Sequence, residues 1–176
     1  MTQDTSFVPL TGGCRCGQAR FRVEAAPIIT HSCHCRLCKR TSGAIFNTVV
    51  MIETGHLSLV EGRTLVFQGA RSHKQIRCVD CGCVLWSHRP DLGDGIAFVG
   101  VGMLDEGERL PPEAHYFTRS KHPWVILPPG IPAFEERGDP GKAGARERIL
   151  AVLARNAPGH SLEDWAKGGS SARPQD

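Results

Sequence analysis

The chain has 176 residues, a formal net charge of +3 and eight cysteines. At about 100–200 residues per domain this length suits one compact domain with a tail, and so mild a charge excludes a nucleic-acid footprint built on charge alone. Aromatics at 6% argue against a stacking platform for single strands, while twelve prolines and twenty glycines argue against a long helical bundle.

The first six residues, Met1 to Ser6, carry neither the basic nor the apolar segment of a secretory signal. The apolar stretches at residues 44–52 and 96–104 are interrupted and shorter than the about 20 residues that a membrane helix needs. A cytoplasmic protein without a membrane partner is therefore expected. In that compartment thiols stay reduced, and clustered cysteines bind metal or do chemistry.

In chain order, residues 18–24 set Ala19, Phe21 and Val23 against Gln18, Arg20, Arg22 and Glu24, the alternation of a half-buried strand. Residues 36–41 read as a short turn of helix ended by Gly43. Residues 45–52 are rich in β-branched side chains and nearly continuous, which predicts a buried strand. Shorter strands are expected at residues 57–60, 64–68, 74–78, 84–88, 96–101 and 124–127, with Gly and Pro punctuating the gaps. Composition shifts at Gly138-Asp139-Pro140-Gly141. Residues 143–156 then read as a helix with Ile149, Val152 and Leu153 on one face and a stop at Asn156 and Pro158. Residues 161–164 could open a further turn through a capping box, and residues 168–176 read as a solvated end. The expected organisation is a mainly β domain of short antiparallel strands over residues 1–137, followed by a helical extension and tail over 138–176.

The cysteines fall into three groups: Cys14-Arg15-Cys16, Cys33-His34-Cys35-Arg36-Leu37-Cys38, and Cys78-Val79-Asp80-Cys81-Gly82-Cys83. A closed tetrahedral zinc site needs four sulfurs about 2.3 Å from the metal. A pair from Cys14 and Cys16 with a pair from Cys78 and Cys81 supplies them, and Gly17 and Gly82 allow the backbone to turn sharply beneath the metal. Cys33, Cys35 and Cys38 then form a second group whose fourth position stays open, as in a catalytic zinc site. Arg36, Lys39 and Arg40 flank this run and could hold the carboxylates of an anionic thiol substrate. Spacing alone leaves the pairing open, because Cys81 and Cys83 can equally supply one half. Disulfides, an iron–sulfur cluster, or two purely structural zincs completed by His34 or Cys83 are the competing readings.

Taken in order, Gly12-Gly13-Cys14-Arg15-Cys16-Gly17, Cys33 to Gly43 and Cys78 to Gly82 resemble the glutathione-dependent formaldehyde-activating enzyme family, also called the CENP-V/GFA domain family. Gly102-Met103-Leu104-Asp105, Pro111-Pro112, His115, Lys121 and Trp124 fit the same pattern, so the resemblance runs from about Val8 to Arg137. It implies an Mss4-like fold of short β-sheets arranged like a tent around a structural zinc. It implies that Cys14, Cys16, Cys78 and Cys81 hold that zinc. It implies that Cys33, Cys35 and Cys38 hold a second, catalytic zinc, making two per chain. The activity implied is that of a carbon–sulfur lyase joining glutathione to formaldehyde as S-(hydroxymethyl)glutathione. Cys83 and Arg77 depart from the family pattern without touching a ligand position.

The chemistry expected is thiol addition to an aldehyde carbon, with His34 as a candidate proton relay. His115 and Lys121 are candidates for the pocket wall, and Trp124 reads as core. Ser42 reads as a turn cap, Asp105 as a turn-closing or locally paired residue. His31, His56, His73, His88, His122 and His160 lack metal-site spacing and read as solvated or structural. The alternative functions are a non-catalytic zinc module that engages a protein partner and, less consistent with the charge, a nucleic-acid-binding zinc ribbon.

Overall fold

The computed structural model describes residues 7–69, 73–137 and 145–156. The first six residues, the beginning of the anticipated C-terminal helix, the possible capping box at residues 161–164 and the expected tail lie outside them.

The fold is mainly β, with two sheets. Strands β1 (Leu10–Gly13), β2 (Arg20–Val23) and β5 (Leu57–Glu61) form a three-stranded antiparallel sheet in the order β1-β2-β5. The larger sheet contains β3 (Ile29–Cys33), β4 (Asn47–Glu53), β6 (Thr64–Gln68), β7 (Lys74–Cys78), β8 (Val84–Arg89), β9 (Gly93–Gly100) and β10 (Ala114–Tyr116). Its order is β10-β3-β4-β9-β8-β7-β6.

Strands β4 and β9 lie at the centre of this sheet and are covered on both faces, which explains why their sequences run apolar without a polar alternation. The strand period of two sends neighbouring residues to different cores. Met51 and Phe98 join Ile29, Tyr116, Ile149, Val152 and Leu153 in one cluster. Val50, Ile52 and Val99 join Leu10, Phe21, Val23 and Leu85 in the other, between the sheets. The first cluster is closed by helix α2 (Arg146–Asn156), which buries the predicted face of Ile149, Val152 and Leu153. Arg155 fixes its end, donating from Nε and Nη2 to the Glu53 carboxylate at 3.1 and 2.7 Å.

Three strands escape the sequence pattern. β3 is buried at every position although it reads Ile-Thr-His-Ser-Cys, and partners take up two of its polar groups: the Thr30 amide donates to Glu113, and the Ser32 hydroxyl bonds Thr48 at 2.8 Å. β10 lies parallel to β3, not antiparallel, with His115 opposite Ser32. β1 is short and ends in the glycine pair that precedes Cys14. The strand expected at residues 124–127 does not form. Pro123, Pro128 and Pro129 withhold the amide donors a ladder needs, and Trp124 and Ile126 stand 65% and 92% exposed. Trp124 is therefore not a core residue; its ring stacks on His122 with centroids 5.3 Å apart. Among the described residues, no helix is long and apolar enough to cross a membrane.

The glycine pair also lets β1 approach the turn after β9 and the Phe21 ring of β2 closely. Gly12 bridges to Leu104, and a Cβ there would meet the Met103 carbonyl oxygen at 2.4 Å and the Phe21 ring at 2.5 Å. Gly12→Ala should therefore lower the unfolding free energy by about 1–3 kcal/mol in a urea titration. An unchanged urea midpoint would contradict this packing.

Candidate functional site

Two tight turns, one from each sheet, converge at the end of the inter-sheet core. After β1 the chain reverses so that the Gly17 amide donates to the Cys14 carbonyl at 3.0 Å, with Gly17 at φ 78°. After β7 the Gly82 amide donates to the Cys78 carbonyl at 3.0 Å, with Gly82 at φ 70°. Only glycine takes that left-handed conformation without strain. Each turn aims its cysteines at the other, and the sulfurs of Cys14, Cys16, Cys78 and Cys81 all lie within 4.8 Å of one another. Cys16 Sγ is 3.3 Å from Cys14 Sγ and 3.8 Å from Cys78 Sγ. Tetrahedral zinc with sulfurs at about 2.3 Å sets neighbouring sulfurs about 3.8 Å apart, so this donor set fits the metal. Burial alone would raise the Cys14 pKa. Hydrogen bonds from the Ala19 amide and from Cys16 and Cys78 outweigh it and bring the thiol down to about 6. Cys83 stays outside: its carbonyl accepts from the Cys78 amide, and its thiol faces the Met103 sulfur at 4.0 Å.

The second group sits at the corner between β3 and helix α1 (Arg36–Ser42). Cys33 ends the strand. Cys35 is the helix N-cap, with extended backbone at φ −65° and ψ 156°, and its sulfur accepts from the Cys38 amide at 3.4 Å. That capping bond folds Cys38 back over Cys35, and the three sulfurs lie within 4.8 Å of one another. As anticipated, Gly43 closes the helix in the left-handed region, and Ser42 caps the turn through the Cys38 carbonyl and the Ala44 amide. The Cys33 and Cys38 thiols hydrogen-bond to Cys35 and draw its pKa down to about 2, while the contact with Cys35 is the main cause that pushes Cys33 up to about 12. The three residues thus share one negative charge readily. A bound dication would favour deprotonation of all three, and three thiolate donors also suit zinc. No disulfide joins any of the eight cysteines in this structure.

Between Cys33 and Cys35 the chain turns His34 inward, where it is fully buried. Its Nε2 meets His115 Nδ1 at 3.2 Å, and its amide donates to the Tyr116 carbonyl. Burial first, then the charges of His115, Lys121 and Lys39, lowers the His34 pKa to about 4; burial also lowers that of His115. The pair is neutral near pH 7 and spans 81 residues of sequence, which is why spacing could not reveal it.

The flanking cations divide. Arg36 and Arg40 are exposed on α1, whereas Lys39 Nζ donates to the Ser120 carbonyl at 2.7 Å. Lys121 is likewise engaged, with the carbonyls of His122 and Val125. Asp105 pairs far from its own turn, with the Arg20 guanidinium and the Thr11 hydroxyl.

A sequence profile for the family described as glutathione-dependent formaldehyde-activating enzyme matches residues 9–120. The chain belongs to that family. A relative from Halomonas elongata, named "Putative glutathione-dependent formaldehyde-activating enzyme", is 27% identical over 130 residues, covering 67% of this chain and 80% of the relative. A crystal structure of a Rhodobacter sphaeroides protein aligns at 19% identity with a TM-score of 0.44, covering 70% of this chain and 98% of the other.

Acid should act on the strand that leads into the three-cysteine corner. His31 is buried; burial first and the Arg89 charge second lower its pKa to about 3. An unfolded histidine titrates near about 6.5, so below that pH the unfolded chain binds more protons. The stability is complete above the unfolded value and is lost as pH falls toward the folded one. Between pH 7.5 and 5, His31 alone should account for about 2 kcal/mol of lost unfolding free energy. Urea titrations across that range should show a shallower dependence in His31→Asn than in the unaltered protein. Parallel slopes would contradict the assignment.

Proposed function

We propose that the chain joins a small thiol, glutathione, to a small aldehyde, formaldehyde, at the corner formed by Cys33, Cys35 and Cys38. Cys14, Cys16, Cys78 and Cys81 would hold a closed structural zinc, and Cys33, Cys35 and Cys38 a second zinc with room for one more ligand. The observation that carries this reading is the three-sulfur corner itself, which gathers three donors and no fourth cysteine. A zinc bound there would supply Lewis acidity and lower the pKa of an incoming thiol.

The protein's own groups supply the rest. Arg36 and Arg40, exposed on α1, would receive the thiol's carboxylates as charge-assisted partners and so orient its sulfur. Lys39 would act through its hold on Ser120, which ties the loop after β10 to α1. The neutral His34–His115 pair, whose His34 lies between Cys33 and Cys35 in sequence, would accept the thiol proton and return it to the carbonyl oxygen. In the net reaction a carbon–sulfur bond forms, the carbonyl π bond breaks, and the thiol proton ends on the new hydroxyl. We place this activity in the reducing cytoplasm, where eight free thiols persist.

Cys35→Ser removes the helix cap sulfur and one ligand of the corner. Metal analysis should fall from two zincs per chain to one, and acceleration of the formaldehyde–glutathione reaction should be lost, with the circular dichroism of the β-sheets retained. Two zincs in the variant would overturn the ligand assignment. Two zincs in the unaltered protein with no acceleration would overturn the activity.

A further inference from the structure

Beside the three-cysteine corner lies a partly open cavity of about 30 Å³ that thiol addition to formaldehyde leaves unused. One water needs about 10–15 Å³, so the space suits two waters or one carboxylate group. Its walls include Met51 and Phe98 from the central strands, and Cys33 and His31 from β3. Residues two apart on a strand share a face, so Cys33 and His31 both point to the cavity side. The space therefore continues from the corner along β3.

Its polar chemistry is specific. His31 is buried, and its Nδ1 has no hydrogen-bond partner among the described residues. A buried polar atom in that state is uncommon and points to a ligand. The charged lining residues are Arg89 and Arg137. Asp91 holds both: Arg89 donates from Nε and Nη2 at 3.1 and 2.8 Å, and Arg137 from Nη1 at 2.6 Å. A guanidinium offers five donors, more than the two that Asp91 takes from Arg89. Phe117, which also lines the cavity, is the one non-glycine residue with positive φ, 57°, among the described residues. Backbone held in that region clusters at ligand sites, where packing over-determines it.

We propose that this cavity is a carboxylate subsite of the thiol–aldehyde site, so that the chain also accepts an aldehyde bearing a carboxylate, with the 2-oxo acid glyoxylate as the smallest of its class. The substrate assignment rests on the reading of the three-cysteine corner given above; the carboxylate subsite rests on the cavity alone. The carboxylate accepts from the guanidinium groups and from His31, and the carbonyl carbon beside it lies toward Cys33. The thiol sulfur bonds to that carbon, the carbonyl π bond breaks, and the thiol proton ends on the hydroxyl, with no oxidant or reductant consumed.

The test uses the full chain reconstituted with zinc. Calorimetric titration with acetate and with its neutral counterpart acetamide should give acetate about tenfold tighter binding or more, a preference that shrinks in Arg89→Gln. With glutathione, kcat/KM for glyoxylate should exceed that for uncharged glycolaldehyde by about tenfold or more. Equal binding of acetate and acetamide, or equal use of the two aldehydes, would overturn the proposal. If Arg89→Gln does not fold, the two comparisons on the unaltered protein decide. Acetate selectivity with no turnover of any aldehyde, formaldehyde included, would uphold the subsite and overturn the substrate assignment. Turnover of formaldehyde without acetate selectivity would overturn the subsite and leave the corner's reading intact.

Discussion

Sulfur atoms gathered as closely as they are in this chain repel one another once ionised, and a cation removes that conflict. Seven of the eight cysteines stand in two groups whose sulfurs lie within 4.8 Å of one another. In water the charges of several thiolates would drive them apart; a dication at the centre turns the same proximity into binding energy. The four-sulfur group lies where the end of β1 in one sheet meets the end of β7 in the other, so a metal held there would close a long loop. A small domain with exposed edge strands gains from such a clip, because loop closure costs entropy that the core alone must otherwise offset.

The three-sulfur group differs because of where it sits. It is built on a strand buried at every position and a helix of seven residues, and its geometry is set by backbone bonds: the Cys35 cap, the His34 amide to Tyr116, and the parallel pairing of β3 with β10. A site held by a buried strand is more rigid than one on a free loop. The same strand turns His34 into the interior against His115 and carries His31 along the neighbouring cavity. The larger sheet thus has one side facing β1, β2 and β5, and another facing α2 on which Ile29, His31 and Cys33 of β3 lie.

Much of this was legible in the residues, and the reasons differ by element. The turns after Cys14 and Cys78 announce themselves through Gly17 and Gly82, since a left-handed backbone leaves a glycine in the sequence. Helix α1 was readable because Gly43 ends it. The edge hairpin of β6 and β7 matched its anticipated limits, residues 64–68 and 74–78, because local alternation and turn residues define it. β3 and β10 were not readable. The Thr30 amide, the Ser32 hydroxyl and His115 Nδ1 find their partners on distant segments, and no local pattern encodes a partner 81 residues away. Trp124 misled for the opposite reason: a large aromatic usually marks a core, but the flanking prolines hold this one on the surface. Which cysteines pair across the chain was likewise a tertiary matter, and the exclusion of Cys83 follows from its turning away to Met103.

The account turns on whether the corner formed by Cys33, Cys35 and Cys38 can take a sulfur from outside the chain. Zinc-edge X-ray absorption on the metal-loaded protein, recorded without and then with glutathione, tests this directly. The account predicts that glutathione adds one sulfur neighbour at one of the two metal sites and leaves the other unchanged. Identical spectra, or a corner already saturated by side chains before the thiol arrives, would contradict it.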